Sequence, residues 1–241
     1  MATDIAQTVD RTLLALLHLA DTGPQSIRQI AASLAISLTA ARRIVVTLHR
    51  EGMLRRTEDR RYDLGPRLIR MTDPLLARFA ELAGPSMAAL ARHTGLSVLL
   101  SAFAADGVCV LHQADPAPPG LRLDYRTGRW RPMTDCADGL VILAHLSGAR
   151  RERIVRDSGR PGLPQQLERV REQGHLFAAG EPWGAAALSV PILDTRIGVI
   201  GALTVLGAAA EAPGAGLLHA LSAASGEIAG AVLRQSSERA G

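Results

Sequence analysis

Along the first third of the chain, apolar positions recur every three or four residues in short bursts separated by turn-forming residues. Val9, Leu13, Leu16, Leu17 and Ala20 form one stripe of a helix over about Ile5–Ala20, which Asp21-Thr22-Gly23-Pro24 ends. Ser26 opens a second helix as N-cap, with Gln29 three residues on to complete a capping box. Ile27, Ile30, Ala31 and Leu34 are its buried face. The turn Ala35-Ile36-Ser37 leads into a third helix capped by Ser37. There Ala41, Ile44, Val45 and Leu48 share a narrow core-facing arc, and Thr39, Arg43, Val46 and Arg50 take the opposite arc, with Arg42 on its flank. Gly52 stops this helix. Leu54–Thr57 and Arg60–Leu64, joined through Glu58-Asp59, read as a two-stranded wing. Element order and spacing therefore predict a winged helix-turn-helix.

Beyond Gly65 the pattern shifts. Leu68, Ile69, Leu75, Leu76 and Phe79 suggest a linker helix broken at Asp73-Pro74, and another helix follows near Pro85–His93. Leu96–Ala104 and Val108–Gln113 read as strands around an Asp106-Gly107 turn, a strong hairpin signal, with Leu121–Tyr125 as a third strand. Helices are expected near Ala137–Leu146, Arg150–Asp157 and Pro164–Gln173. A second hairpin, Ala187–Leu193 with Ile197–Leu206, and a last helix over Gly214–Gln235 follow. Such an order predicts an α+β domain with a largely antiparallel sheet. A winged domain over 1–65, a linker helix over 66–80 and a larger α+β domain over 81–241 fit the chain length of 241 residues.

Charge sharpens the picture. Between Arg28 and Arg70, ten arginines face four acids, Glu51, Glu58, Asp59 and Asp63. Residues 1–80 hold 12 arginines and 8 acids, whereas 81–241 hold 15 of each, so the whole formal net charge of +4 lies in the first third. Lysine is absent, which a GC-rich coding sequence explains as well as any function does. Cations concentrated on and around one helix are an electrostatic footprint whose commonest partner is duplex nucleic acid.

Other chemistry is poorly represented. The seven histidines are scattered, without HxxxH or CxxC spacing for a metal, and there is no Walker loop or GxSxG. Neither metal nor cofactor is expected. Cys136 stands near Asp135 and Asp138, whose charges raise a thiol pKa instead of activating it, so a pocket-lining role is the simpler reading. Two cysteines without a signal-peptide pattern suggest a reduced cytoplasm. The longest apolar run, Ile197 to Ala210, is 14 residues, short of the ~20 needed to span a bilayer.

The chain resembles the IclR-type transcriptional regulators over nearly its full length. In the first domain the similarity rests on Arg43, Thr47-Leu48, Gly52 and the run Arg61-Tyr62-Asp63-Leu64-Gly65-Pro66-Arg67-Leu68. In the second it rests on Gly128, Pro132, Ala137-Asp138-Gly139, Val170-Arg171-Glu172-Gln173-Gly174-His175, Val190-Pro191-Ile192 and Gly198-Val199-Ile200-Gly201-Ala202-Leu203. The resemblance implies a homodimer, often a dimer of dimers, on a palindromic operator in double-stranded DNA. It also implies a GAF-like second domain holding a small organic effector, often a carboxylate. Some positions depart from the pattern. Ala35 stands where glycine is usual, Thr39-Ala40 replaces a common Ser-Thr pair, and Ala178, Ala187 and Leu206 replace polar ligand contacts of several relatives. Ser189 and Thr204 remain, and the three apolar replacements favour an effector with an aromatic or otherwise apolar body, or one held mainly by backbone amides.

The candidate DNA contacts are Ser26, Thr39, Ala40, Arg42, Arg43 and Arg50, together with the wing residues Arg55, Arg56, Arg60 and Arg61. Arginine near the start of a recognition helix can donate twice to guanine, and wing arginines suit phosphates or the minor groove. Phosphate contact or an intradomain ion pair is the plain alternative for Arg43, and pairing with Glu58 or Asp59 for one or two wing arginines. The candidate effector contacts are Leu123, Tyr125, Met133, Asp135, Cys136, Ala137, Ala187, Ser189 and Thr204, with Trp130 beside them. The first amides of the Ala137–Leu146 helix suit a carboxylate, although an ordinary loop-to-helix junction has the same sequence features. Asp135 or Asp138 would repel such a ligand unless offset by Arg122 or Arg131. The competing class is an enzyme or interaction module whose winged domain contacts only protein.

Overall fold

The computed structural model describes residues 6–104, 106–116, 127–180, 185–207 and 214–238. The chain forms two compact units, Met1–Leu75 and Leu76–Gly241.

The first unit contains α1 (Gln7–Thr22), α2 (Ile27–Ser33), α3 (Leu38–Arg50), β1 (Leu54–Arg56) and β2 (Tyr62–Leu64). The capping box forms: the Ser26 amide donates to Gln29 Oε1 at 2.9 Å and Ser26 Oγ accepts from the Gln29 amide. Ser37 Oγ likewise accepts from the Ala40 amide at 3.2 Å. Each cap contributes about 1 kcal/mol by satisfying an otherwise orphaned helix donor. Ala15, Leu19, Ile30, Ile44, Val45, Leu48 and Leu54 make the core. The apolar stripe read on α1 divides. Leu16 packs on that core, whereas Val9, Leu13 and Leu17 are more than half exposed and Ala20 also faces out. Ala15 and Leu19, one helical step away, take the buried face instead. In the α2–α3 turn Ala35 adopts φ 49°, the left-handed conformation that glycine adopts without Cβ strain.

One continuous helix, α4 (Arg67–Thr94), replaces the two predicted helices and passes through Pro74 and Pro85. Proline removes one backbone bond and crowds the preceding turn, which is why the sequence reads as a break. Ala83, Met87, Leu90 and Ala91, buried in the main core of the second unit, favour continuation. The unit boundary falls inside the expected linker.

The second unit follows with β3 (Ser97–Ala104), β4 (Gly107–Ala114), β5 (Trp130–Pro132), a 3-10 turn (Met133–Asp135), α5 (Ala137–His145), α6 (Gly148–Ser158) and α7 (Leu163–Gln173). β6 (Leu176–Gly180), β7 (Ala185–Asp194), β8 (Gly198–Gly207) and α8 (Ala215–Glu238) complete it. One antiparallel sheet has the order β5-β4-β3-β8-β7-β6. Its edge strands β5 and β6 have no counterpart in the sequence reading, because three residues and Leu-Phe-Ala-Ala-Gly are too short or too featureless to alternate. The expected strand Leu121–Tyr125 lies outside the described residues.

Strand alternation separates two cores. Val98, Leu100, Leu188, Val190, Ile192, Leu203 and Val205 pack with α4 and α8. On the opposite face Leu99, Val110, Ala187 and Leu206 meet Ala137 at the start of α5. Among the described residues one stretch, Ala215–Gln235 of α8, is long and apolar enough to cross a membrane. Its serines and glycines hide it from a count of uninterrupted apolar runs, and its Leu221, Ala224, Ile228 and Ala229 lie in the core.

Candidate nucleic-acid interface and effector seat

The α3 surface has the expected division. Ala41, Ile44, Val45 and Leu48 are buried, while Thr39, Arg42, Arg43, Val46 and Arg50 are exposed and Ala40 is half-buried. Arg43 shares the exposed arc with Val46 and Arg50, and it also lines a groove with Arg11 of α1. Arg50 pairs with neighbouring Glu51 at 2.9 Å. Ser26 spends its hydroxyl on the α2 cap, donating to Gln29 Oε1 at 2.8 Å.

Wing arginines divide into two kinds. Arg55 pairs across the β1–β2 register with Asp63 at 2.5 Å, and Arg61 pairs with Asp59 at 3.0 Å. The Thr57 hydroxyl and the Arg61 charge hold the Asp59 carboxyl below its ordinary pKa. Arg56 and Arg60 have no ion pair among the described residues, nor have Arg42 and Arg43. Arg60 sits at the wing tip with φ 62°, a left-handed backbone in a non-glycine residue. Unneutralised guanidiniums thus gather on α3 and the wing.

In the second unit Ser189 and Thr204 are adjacent strand partners, both buried, with their hydroxyls 2.8 Å apart. Two register positions away and on the same face, Ala187 and Leu206 pack under Ala137, so α5 begins directly over this part of the sheet. Met133 and Cys136 are also buried beneath the helix start. The glycine of the Ala137-Asp138-Gly139 motif has a packing reason: a Cβ there would stand 2.4 Å from the Met133 carbonyl oxygen. Cys136 donates to the Pro132 carbonyl at 3.5 Å, and burial, reinforced by Asp138, pushes its thiol far above the ordinary range. Burial is therefore a larger cause of its inertness than the neighbouring carboxylates.

The two acids behave differently. Asp135 is exposed beside the Thr134 hydroxyl. Asp138 is 2% exposed, accepts from the Gly139 amide at 3.1 Å and receives Arg131 Nη2 on both oxygens, at 3.1 and 2.8 Å. Arg131 thus supplies the offsetting charge. One of the first α5 amides is already taken by the chain's own carboxylate, while those of Ala137 and Asp138 have no recorded acceptor among the described residues.

Trp130 is not a lining residue of this seat. The residue is 54% exposed and its ring covers Gly107 on β4. Leu123, Tyr125 and Arg122 lie outside the described residues. Ser189, Thr204, Ala187 and Leu206 are all buried, and three hollows among the described residues lie elsewhere: between α6 and α7, between α1 and α3, and under Leu82 and Ile228.

Comparison with known domains decides the family. Residues 77–230 match the bacterial transcriptional regulator IclR C-terminal domain, and residues 8–58 match the IclR helix-turn-helix domain. The chain belongs to the IclR family. As an IclR-family transcriptional regulator it binds DNA through its helix-turn-helix domain, and this identity is that of a regulator, not an enzyme. An IclR regulator from Alicyclobacillus acidocaldarius is 25% identical with a TM-score of 0.79, over 94% of this chain and 99% of that one. An IclR homologue from Microbacterium hydrocarbonoxydans, solved with 4-hydroxybenzoate, is 20% identical with a TM-score of 0.76 over the same shares. Pseudomonas aeruginosa HmgR is 21% identical with a TM-score of 0.71, over 93% and 98%. No protein of curated function matched the chain.

Proposed function

We propose that this IclR-family regulator reads a two-fold operator as a dimer in the cytoplasm and responds to a small aromatic or otherwise apolar carboxylic acid. The observation that carries the DNA reading is the set of unpaired guanidiniums on the exposed faces of α3 and the wing. Thr39, Arg42 and Arg43 stand in the first turns of a helix with the major-groove docking geometry of its motif. Arg56 and Arg60 reach phosphates. One winged helix reads only a few base pairs, and a two-fold dimer doubles the site. Val9, Leu13 and Leu17 on α1, with Ile69 and Met71 on α4, supply exposed apolar surface for a second copy of the chain.

The effector seat is the start of α5 above Ala187, Leu206 and the Ser189–Thr204 pair. Two features favour an acid there: the open amides of Ala137 and Asp138 at a helix N-terminus, and Arg131, which cancels the charge of Asp138. The ligand enters by parting the contact of Ala137 with Ala187 and Leu206. It shifts DNA affinity only by its preference for one arrangement of the protein. The 4-hydroxybenzoate of the Microbacterium relative makes substituted benzoates the first probes.

Selection from a randomised duplex pool, followed by fluorescence anisotropy on the recovered site, tests this function. A dimer by sedimentation, salt-dependent binding and a benzoate that raises Tm and changes DNA affinity are expected. A monomer at micromolar concentration with and without DNA, or recovery of no preferred sequence, contradicts it.

A further inference from the structure

We infer that the groove between α1 and α3 is a clamp for one DNA-backbone phosphate, with Arg11 as its principal anchor. This rests on the DNA-binding reading above and adds a residue outside the recognition helix and wing. Thr8, Arg11 and Thr12 from α1 face Ala40, Arg43 and Thr47 from α3 across a hollow of about 240 Å³. Each set has the i, i+3, i+4 or i+7 spacing of a single helix face, so both helices turn one side toward the same space.

The groove is chemically one-sided. Arg11 is half-buried, and neither it nor Arg43 has an ion pair or hydrogen bond among the described residues. Among the described residues no carboxylate lines the space, and Asp10 is turned about 100° away on its helix. The Thr12 hydroxyl donates to the Thr8 carbonyl at 2.7 Å, whereas the Thr8 and Thr47 hydroxyls have no recorded partner among the described residues. Two permanent cations and two hydroxyls therefore converge where no acceptor among the described residues meets them. Like charges lining one concavity repel, and an anion placed between them removes that cost.

A phosphodiester suits this arrangement because its non-bridging oxygens only accept and guanidinium only donates. The groove runs along the flank of the exposed α3 face, so a phosphate held there belongs to the strand bordering the major groove that α3 enters. Such a contact fixes register and carries no sequence information. Ala40 fits the same account, since a small side chain leaves the space open.

The test uses the full chain and two fluorescent 30-bp duplexes, one recovered by selection and one of random sequence, titrated over about 50–200 mM salt. Arg11→Ala and the longer Arg11→Gln should weaken binding to both duplexes alike, by roughly tenfold, and flatten the log–log salt slope by about 0.9. Unchanged circular dichroism and Tm establish that the variants are folded. Wild-type affinity and slope in folded Arg11 variants, with Arg43→Ala still impaired, would overturn the clamp and leave DNA binding intact. Failure of the wild type to bind either duplex at the lowest salt would overturn both. Inorganic phosphate that raises the Tm of the wild type but not of Arg11→Ala, with DNA affinity equal in the two, would assign the groove to free phosphate instead.

Discussion

Arginine does different work at the start of α5 and on the face of α3. At α5, Arg131 is nearly buried and holds both oxygens of Asp138, so its charge is spent inside the fold. On α3 and the wing, Arg42, Arg43, Arg56 and Arg60 have no carboxylate partner among the described residues. An arginine of the first kind supports structure, and one of the second kind is available to a polyanion. The same residue type therefore predicts opposite phenotypes in the two places.

The largest effect tests the first kind. Arg131→Ala leaves a buried carboxylate without its counter-charge, a loss of about 3–5 kcal/mol of stability. Chemical denaturation should register it as a lower midpoint. A change below about 1 kcal/mol would mean that Asp138 is solvated in solution and that the pair is not structural. Arg43→Ala tests the second kind. It should weaken binding to the selected duplex about tenfold or more, near 1.4 kcal/mol, with denaturation unchanged. Equal affinity in an anisotropy titration at fixed salt would remove Arg43 from the interface.

A smaller effect belongs to the turn that aims α3. Ala35 holds a left-handed backbone at φ 49°, so Ala35→Gly should stabilise the first unit by about 1 kcal/mol. Destabilisation by that substitution would show that the turn is unstrained. Thiol titration adds a finer contrast within the second unit. Ellman's reagent at pH 8 should modify half-buried Cys109 well before Cys136, since both thiols are shifted upward by burial and Cys136 the further. Equal rates would contradict the closed packing at α5.

How much of this was legible in sequence follows from the range of the forces involved. The α2 capping box, the buried arc of α3 and both hairpins are local patterns, and each appears where the periodicity places it. The fate of α1 was less legible. Its apolar residues exceed what one narrow core face can bury, and only tertiary packing decides that Ala15 and Leu19 go in while Val9, Leu13 and Leu17 stay out. The continuity of α4 through two prolines is likewise a tertiary outcome. Pairing of individual arginines was the least legible property. Arg55 reaches Asp63 through strand register, and Arg11 meets Arg43 across two helices 32 positions apart in sequence. Of the candidate effector seat, the hairpin that carries Ser189 and Thr204 was readable and Arg131 was one of two arginines offered to offset Asp138, whereas the pairing of the two hydroxyls was not.

The sharpest test compares paired with unpaired wing arginines by salt-dependent anisotropy on the selected and random duplexes. Arg56→Ala with Arg60→Ala should weaken binding to both and reduce the log–log salt slope by between about 1 and 2, because two phosphate contacts are lost. Arg55→Ala with Arg61→Ala, whose charges already meet Asp63 and Asp59, should change the slope by less than half as much. Equal slopes in the two double variants, or no change in either, would contradict the claim that unpaired arginines are what this protein presents to DNA.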